Sequence, residues 1–162
     1  MVAAPFTCER DGGIFLVAGS IDERAQLADL VGRAAHGMLV LDLGGVTFIN
    51  SLGVREWVRL QTAARLASIR VELHRVAEVL IHQLNIVPAA RAAADVKSFY
   101  ATYVCEHCGE EQLELLDVAT HHAALAALQP PPVTCRACKR PAVLAAAPEL
   151  YFSFVAGTSP LR

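Results

Sequence analysis

Two Cys-x-x-Cys pairs constrain this 162-residue chain more than any other feature. The first pair is Cys105 and Cys108, and the second is Cys135 and Cys138. Two such pairs can bring four thiolates to one tetrahedral Zn²⁺, and Gly109 suits the tight turn that directs backbone amides at the sulfurs. Four thiolates fill the coordination sphere, so a structural zinc site is preferred over a redox-active pair or a catalytic zinc.

The chain around the cysteines is expected to be rich in strands. Gln112–Val118 has the pattern of a strand, His121–Leu128 that of a short helix, and Leu150–Phe154 that of a final strand. Pro130, Pro131 and Pro132, which lie between the predicted helix and Cys135, stiffen the return to the second pair. This arrangement looks like a zinc ribbon with a long insert, and residues Gly157–Arg162 are expected to form a loose tail.

A second informative stretch runs from Leu39 to Trp57 and changes from an apolar run to a helical pattern. Leu39–Leu43 predicts a central strand covered on both faces, and a helix is expected to begin at Asn50 or Ser51. Either side chain can cap that helix, and the same helix end attracts anions. A phosphate on Ser51 would lie beside the free amides, with Arg55 one turn further along. The alternative is that Ser51 is only a cap.

The remaining segments alternate between strand and helix patterns. The predicted order is ββαβαβαβ, which indicates the α/β class, with a mostly parallel sheet and helices packed on it. The segments, in chain order, are a hairpin of Phe6–Arg10 and Ile14–Ala18, a helix capped by Asp22 and ended by Gly37, the strand and helix described above, a strand Val71–His74, a helix Ala77–Leu84, a helical turn or loop Pro88–Ala94 and a strand Val96–Val104.

Charge and hydropathy exclude several classes of function. The 14 basic and 16 acidic residues give a net charge of −2, and the part from Ser98 onward has four basic against six acidic residues. Nucleic-acid binding is therefore not expected. Apolar runs are too short for a membrane span, and the N-terminus has no signal-peptide pattern. We expect a soluble cytoplasmic protein, where the thiolates stay reduced.

Six further residues have reactive or metal-binding side chains but form no recognisable motif. Cys8 falls within the first predicted strand, where a lone cysteine is usually a small core residue, with a reactive thiol as the alternative. The histidines are expected to be hydrogen-bonded core or rim residues, or bystanders of the metal site, rather than ligands. They are His74, His82, His107, His121 and His122.

Three short motifs carry a family resemblance. They are DLGGVTF, the loop VTFINSLGV that overlaps its end, and AGSID around Asp22. With this order of elements, residues Val2–Tyr103 resemble the STAS domain of bacterial anti-sigma factor antagonists. In that family the loop reads Asp-Ser-(Ser/Thr)-Gly, and the residue after the aspartate is phosphorylated by an anti-sigma kinase. Ser51 is the matching position, while Asn50 and Leu52 replace the aspartate and a second hydroxyl residue.

The resemblance implies a STAS-like domain over residues 1–97 and leaves a zinc-ribbon-like module over 98–162. We expect a non-enzymatic regulator that binds a protein partner, either an anti-sigma or kinase-like protein or another regulator, through a surface at the start of the second helix. A constitutive scaffold without a phospho-switch is the alternative; a thiol or zinc enzyme is third, and a homo-oligomer is left open. The surface comprises Asn50, Ser51, Leu52, Gly53 and Arg55.

Overall fold

Residues 4–156 are described by the computed structural model of the chain. They form an α/β structure with one mixed five-stranded sheet, one antiparallel four-stranded sheet and several helices. The α/β class and the mostly parallel sheet expected from the sequence are confirmed. The predicted tail, Gly157–Arg162, lies outside the described residues.

The first sheet adds its strands in chain order. The order is β1-β2-β3-β4-β5, in which β1 and β2 are antiparallel and every other pair is parallel. The expected hairpin is present, because β1 and β2 are joined by a turn at Gly12 and Gly13. The strands are β1 Thr7–Asp11, β2 Ile14–Ile21, β3 Met38–Ile49, β4 Arg70–His74 and β5 Ala94–Val96.

Helical segments connect the parallel strands. The β2–β3 connection contains a 3-10 helix, Leu27–Arg33, where the sequence predicts an α-helix capped by Asp22. The Asp22 carboxylate accepts hydrogen bonds from the backbone and guanidinium of Arg24 instead, and Gln26 adopts a left-handed conformation that interrupts a regular helix. The other connections are α1 Ser51–Leu66, α2 Glu78–Ile86 and a 3-10 turn at Pro88–Arg91.

One face of the first sheet is covered and the other is largely open. Along β3, Leu39, Leu41 and Leu43 are fully buried, whereas Val40 and Asp42 between them are only half-buried. Sequential parallel strands with right-handed crossovers place all their helices on one face. The prediction that this strand is covered on both faces is therefore wrong.

The second sheet begins where the first one ends. The predicted strand Val96–Val104 is divided at Lys97, because Val96 ends β5 and Ser98 begins a strand of the other sheet. The order of this sheet is β7-β6-β9-β8, and its strand pairs are antiparallel. Its elements are β6 Ser98–Val104, β7 Glu111–Asp117, α3 Val118–Ala126, β8 Val133–Thr134 and β9 Pro141–Leu144.

The last described segment joins the two sheets. Leu150–Phe154, predicted as a strand, instead belongs to two short helices, α4 Pro148–Tyr151 and α5 Ser153–Ala156. The Asn85 side chain donates to the carbonyl of Tyr151 and accepts from the amide of Phe154, so these backbone groups need no neighbouring strand. The aromatic rings of this segment pack on Phe99 of β6, and one continuous core spans both sheets.

Candidate metal centre and the helix end at Ser51

Four sulfur atoms converge at one end of the second sheet. Cys105 follows β6 and Cys135 follows β8, while Cys108 and Cys138 lie in the turns after them. All four Sγ atoms lie within 4.8 Å of one another, with Cys105 to Cys138 at 3.4 Å and Cys108 to Cys135 at 3.6 Å. The clustering expected from the two pairs is confirmed.

The two turns that carry the cysteines have the same backbone geometry. The amide of Gly109 donates to the carbonyl of Cys105 at 2.8 Å, and the amide of Lys139 donates to that of Cys135 at 3.0 Å. Gly109 and Lys139 both adopt positive φ, at 75° and 63°. The left-handed conformation that suits Gly109 is thus repeated by a non-glycine residue in the second turn.

Backbone amides lower the pKa of the thiol of Cys105. The N–H groups of Cys108 and His107 are directed at the Cys105 sulfur and lower the pKa of that thiol to about 6. The Glu110 amide also favours the Cys108 thiolate, but the partial loss of hydration around this exposed sulfur and its three thiol neighbours raise the pKa of Cys108 to about 12. Four thiolates this close repel one another, so a bound cation is needed for all four to be ionised.

The donor set fits a tetrahedral metal ion. A metal with about 2.3 Å bonds to four sulfurs requires sulfur separations of about 3.8 Å, close to those observed. Cys105 and Cys135 are fully buried, whereas Cys108 is exposed. The arrangement can therefore tie two turns of the chain to one ion, through sulfurs that range from buried to exposed.

The side chains of the other residues singled out from the sequence do not belong to this cluster. His107 is exposed and contacts Arg140, with 2.9 Å between Nδ1 and Nη1, and His121 and His122 lie on α3. Among residues 4–156, the candidate metal cluster comprises cysteines alone. Cys8 packs at the edge of the core, where burial raises the pKa of its thiol.

At the start of α1, one residue caps the helix and the next one is exposed. Asn50 is the cap, because its side-chain oxygen accepts from the Gly53 amide at 2.7 Å. Ser51 is the first helical residue, and its side chain is exposed, as is that of Arg55. The cap expected at Asn50 or Ser51 is therefore Asn50, which leaves the Ser51 hydroxyl available.

Two apolar residues close to Ser51 in the chain have exposed side chains. Phe48 is 47% exposed and Leu52 is 44% exposed. Gly53 is different, because it is buried and a Cβ built there would lie 1.9 Å from the carbonyl oxygen of Ile21. This glycine allows α1 to approach β2 closely, so it positions the helix end rather than exposing a side chain.

A groove between the two sheets was not anticipated from the sequence. Its volume is about 200 Å³, and Glu78 at the start of α2 lies along it. The Glu78 carboxylate accepts from the Thr102 amide at 2.8 Å and from the Thr102 hydroxyl at 3.0 Å. Thr102 is 24 residues away in the chain, so no local pattern could have indicated this pairing.

A scan against protein-family models finds no match, and a search of curated proteins finds none.

Among the helices of residues 4–156, none is both long enough and apolar enough to cross a membrane.

Proposed function

We propose that this chain is a non-enzymatic regulatory module, similar to a STAS domain, that binds a partner protein at the start of α1. The observation that carries the proposal is the exposed Ser51 at a capped helix end, between exposed Phe48 and Leu52. An apolar surface with a modifiable hydroxyl at its centre suits contact with another protein. Asn50 and Gly53 shape this surface, while Leu52 and Arg55 contribute exposed side chains.

Phosphorylation of Ser51 would switch this binding. The amides of Ser51 and Leu52 have no acceptor within the helix, so a phosphate there meets free donors and the positive end of the helix dipole. It would also place about two negative charges beside Phe48 and Leu52, where an apolar partner surface would otherwise bind. The modification therefore stabilises the helix end and weakens the apolar contact.

The test is a pull-down from the native cell combined with phosphoproteomics. Ser51→Ala should retain the partner and Ser51→Asp should release it, while Ser68→Asp, at another exposed serine, controls for added charge. A partner held equally by wild type, Ser51→Ala and Ser51→Asp would eliminate the switch. A partner still held by Phe48→Ser or Leu52→Ser would eliminate the surface itself.

We also propose that the four cysteines hold a structural Zn²⁺. The support is chemical: four thiolates form a closed, tetrahedral, soft donor set, which leaves no position for water or substrate. Zinc bound there ties the turn after β6 to the turn after β8. Metal analysis with thiol titration should give one zinc and four protected thiols per chain; freely reactive thiols without metal would contradict the assignment.

A constitutive scaffold is the second candidate function. The observation that favours it is that Asn50 caps α1 with a neutral amide, so the helix end is complete without any modification. In that case the apolar surface around Ser51 is occupied permanently. A stable complex that co-purifies with the chain and survives both kinase and phosphatase treatment would select this alternative.

A further inference from the structure

One edge of the second sheet differs from the other sheet edges in the described part of the chain. β7 pairs only with β6 and is seven residues long, whereas the edge strands β1, β5 and β8 have five, three and two residues. Proteins usually shorten or charge such edges, because unpaired backbone groups invite another strand. β1 follows this rule, because it is short and three of its residues are charged. β7 also carries acidic residues, but it is longer and exposes the apolar side chains of Leu113 and Leu115.

The hydrogen bonds at the two ends of β7 show which of its residues face outward. The Cys105 amide donates to the Glu110 carbonyl, and the Val118 amide donates to the Lys97 carbonyl, both at 2.9 Å. Bonded residues alternate in an antiparallel ladder, so the even-numbered residues between these ends pair with β6. Leu113 and Leu115, like the other odd-numbered residues, therefore direct their N–H and C=O groups toward the open edge.

The same two residues also expose apolar side chains. Leu113 is 47% and Leu115 is 48% exposed, and they stand opposite Thr102 and Tyr100 on one face of the sheet. The Arg136 guanidinium donates to the Leu113 carbonyl at 3.3 Å, from a side chain that is 65% exposed. Such an exposed contact is readily displaced by an incoming strand.

Charge selects the kind of strand that fits this edge. From Glu110 to Asp117, both included, the chain has four acidic residues and no basic residue. Arg136 pairs with only one of the four, Glu114. A second copy of β7 in antiparallel register would place Glu114 against itself and Glu111 against Asp117. Like charges directly opposite destabilise a strand pair, so self-association is disfavoured and a basic strand is favoured.

We propose that an extended, basic segment of a partner protein adds to β7 as a further antiparallel strand. Its apolar residues lie over Leu113 and Leu115, where backbone hydrogen bonds are exchanged, and its lysine or arginine residues lie opposite Glu111, Glu114 and Asp117. Main-chain bonds provide affinity in this mode of recognition, and the alternating side chains provide specificity. The site uses residues other than those of the Ser51 surface and does not depend on the function proposed above.

The probe is the labelled peptide Lys-Lys-Val-Lys-Val-Lys-Lys, whose two valines match Leu113 and Leu115. Binding to the full chain is measured by fluorescence anisotropy, and hydrogen exchange reports the amides of Leu113 and Leu115. We expect saturable binding that weakens with salt and slows exchange at those two amides. A peptide with N-methylated valines keeps the charge but lacks the pairing donors, and it should bind at least about tenfold more weakly.

Chain variants provide the matched control. Leu115→Lys places a charge within the edge, and Leu150→Lys makes the same change at an exposed leucine on α4. The first should reduce affinity about tenfold or more, and the second should leave it within about twofold of wild type. Because both side chains are exposed, neither substitution opens a cavity in the core.

Four results would overturn the proposal. The first is no binding of the lysine peptide at about 1 mM, and the second is equal binding of the N-methylated peptide. The third is equal binding of a peptide in which glutamate replaces every lysine. The fourth is protection of Leu113 and Leu115 in the free chain that disappears on dilution, which would assign the edge to a second copy of the chain.

Discussion

The five-stranded sheet and the cysteine-bearing end of the four-stranded sheet are held together by different means. The first buries a continuous apolar layer that includes Leu41, Trp57 and Leu73. The second, termed here the cysteine tip and defined as residues 103–112 and 131–144, buries few side chains besides those of Cys105 and Cys135. The other buried side chains of the tip are those of Tyr103, Gln112, Pro131 and Ala142. A segment with so little apolar burial needs a cross-link, and the four sulfurs provide the site for one.

Removing one of the four cysteine sulfurs tests this difference most directly, and it should have the largest effect. Cys135→Ser takes one ligand from a buried position, and structural zinc contributes on the order of 10 kcal/mol in zinc-finger peptides. We expect loss of bound metal and loss of amide protection in the cysteine tip. Protection in β2, β3 and β4 should remain, because their core contains no cysteine ligand.

The control for that experiment is Cys8→Ser, which removes a thiol from the five-stranded sheet. It should retain the metal and the protection of the cysteine tip. If Cys135→Ser unfolded β2 to β4 together with the tip, the two regions would unfold as one cooperative unit. If it kept the metal, the four-sulfur site would be wrong.

Phe99 lies between the two regions, so its truncation should affect both. It is fully buried, with ring centroids 5.1 Å from Phe154 and 6.0 Å from Phe152. Phe99→Ala should lower the free energy of unfolding by about 3–5 kcal/mol, measured by denaturant titration. Leu150→Ala, at a leucine that is 74% exposed, should change it little. A Phe99→Ala loss confined to the cysteine tip would refute the shared aromatic core.

Close packing of α1 on β2 provides a third test, confined to the five-stranded region. Gly53→Ala places a Cβ 1.9 Å from the Ile21 carbonyl oxygen, which forces the helix to move. We expect a loss of about 1–3 kcal/mol in unfolding free energy, with the metal retained. Gly32→Ala is the matched control, because nothing lies within 4 Å of its added Cβ. Equal stability of the two variants would contradict the close approach.

Local patterns in the sequence were sufficient for part of this structure. The spacing of the cysteines indicated the sulfur cluster, and the polar residues before Leu52 indicated the start of α1. These features depend on residues close in the chain, or on a chemistry that few side chains share. The α/β alternation was recovered for the same reason, because hydrophobic periodicity reports each element separately.

The errors arose where distant contacts decide the structure. Leu150–Phe154 has a strand composition, but its backbone is held by Asn85, more than 60 residues away. The change of sheet at Lys97 depends on which neighbours Val96 and Phe99 meet, since the strand pattern continues across it. Glu78 and Thr102 pair for similarly nonlocal reasons. Composition and periodicity carry no information about such partners.

The two helix caps provide a smaller and matched comparison between the regions. Asn50 caps α1 beside the five-stranded sheet, and Asp117 caps α3 beside the other sheet by accepting from the Thr120 amide at 2.7 Å. Asn50→Ala and Asp117→Ala should each cost about 1 kcal/mol of unfolding free energy. Asn50→Asp keeps the acceptor and should retain most of that stability; a loss equal to that of Asn50→Ala would show that the cap is not what stabilises α1.

Acid should distinguish the two caps, because only one of them titrates. The hydrogen bond from the Thr120 amide lowers the pKa of Asp117 below its ordinary value, so the stabilisation is present above about pH 4 and is lost as pH falls through the lowered pKa. Amide exchange in α3 should therefore accelerate in acid more in wild type than in Asp117→Asn, whose cap stays neutral. Because protonation of the thiolates would release any bound metal from both proteins alike, the difference between them isolates the cap. Exchange in α1 should be the same in both, and an identical acid response of α3 in the two proteins would contradict the role of Asp117.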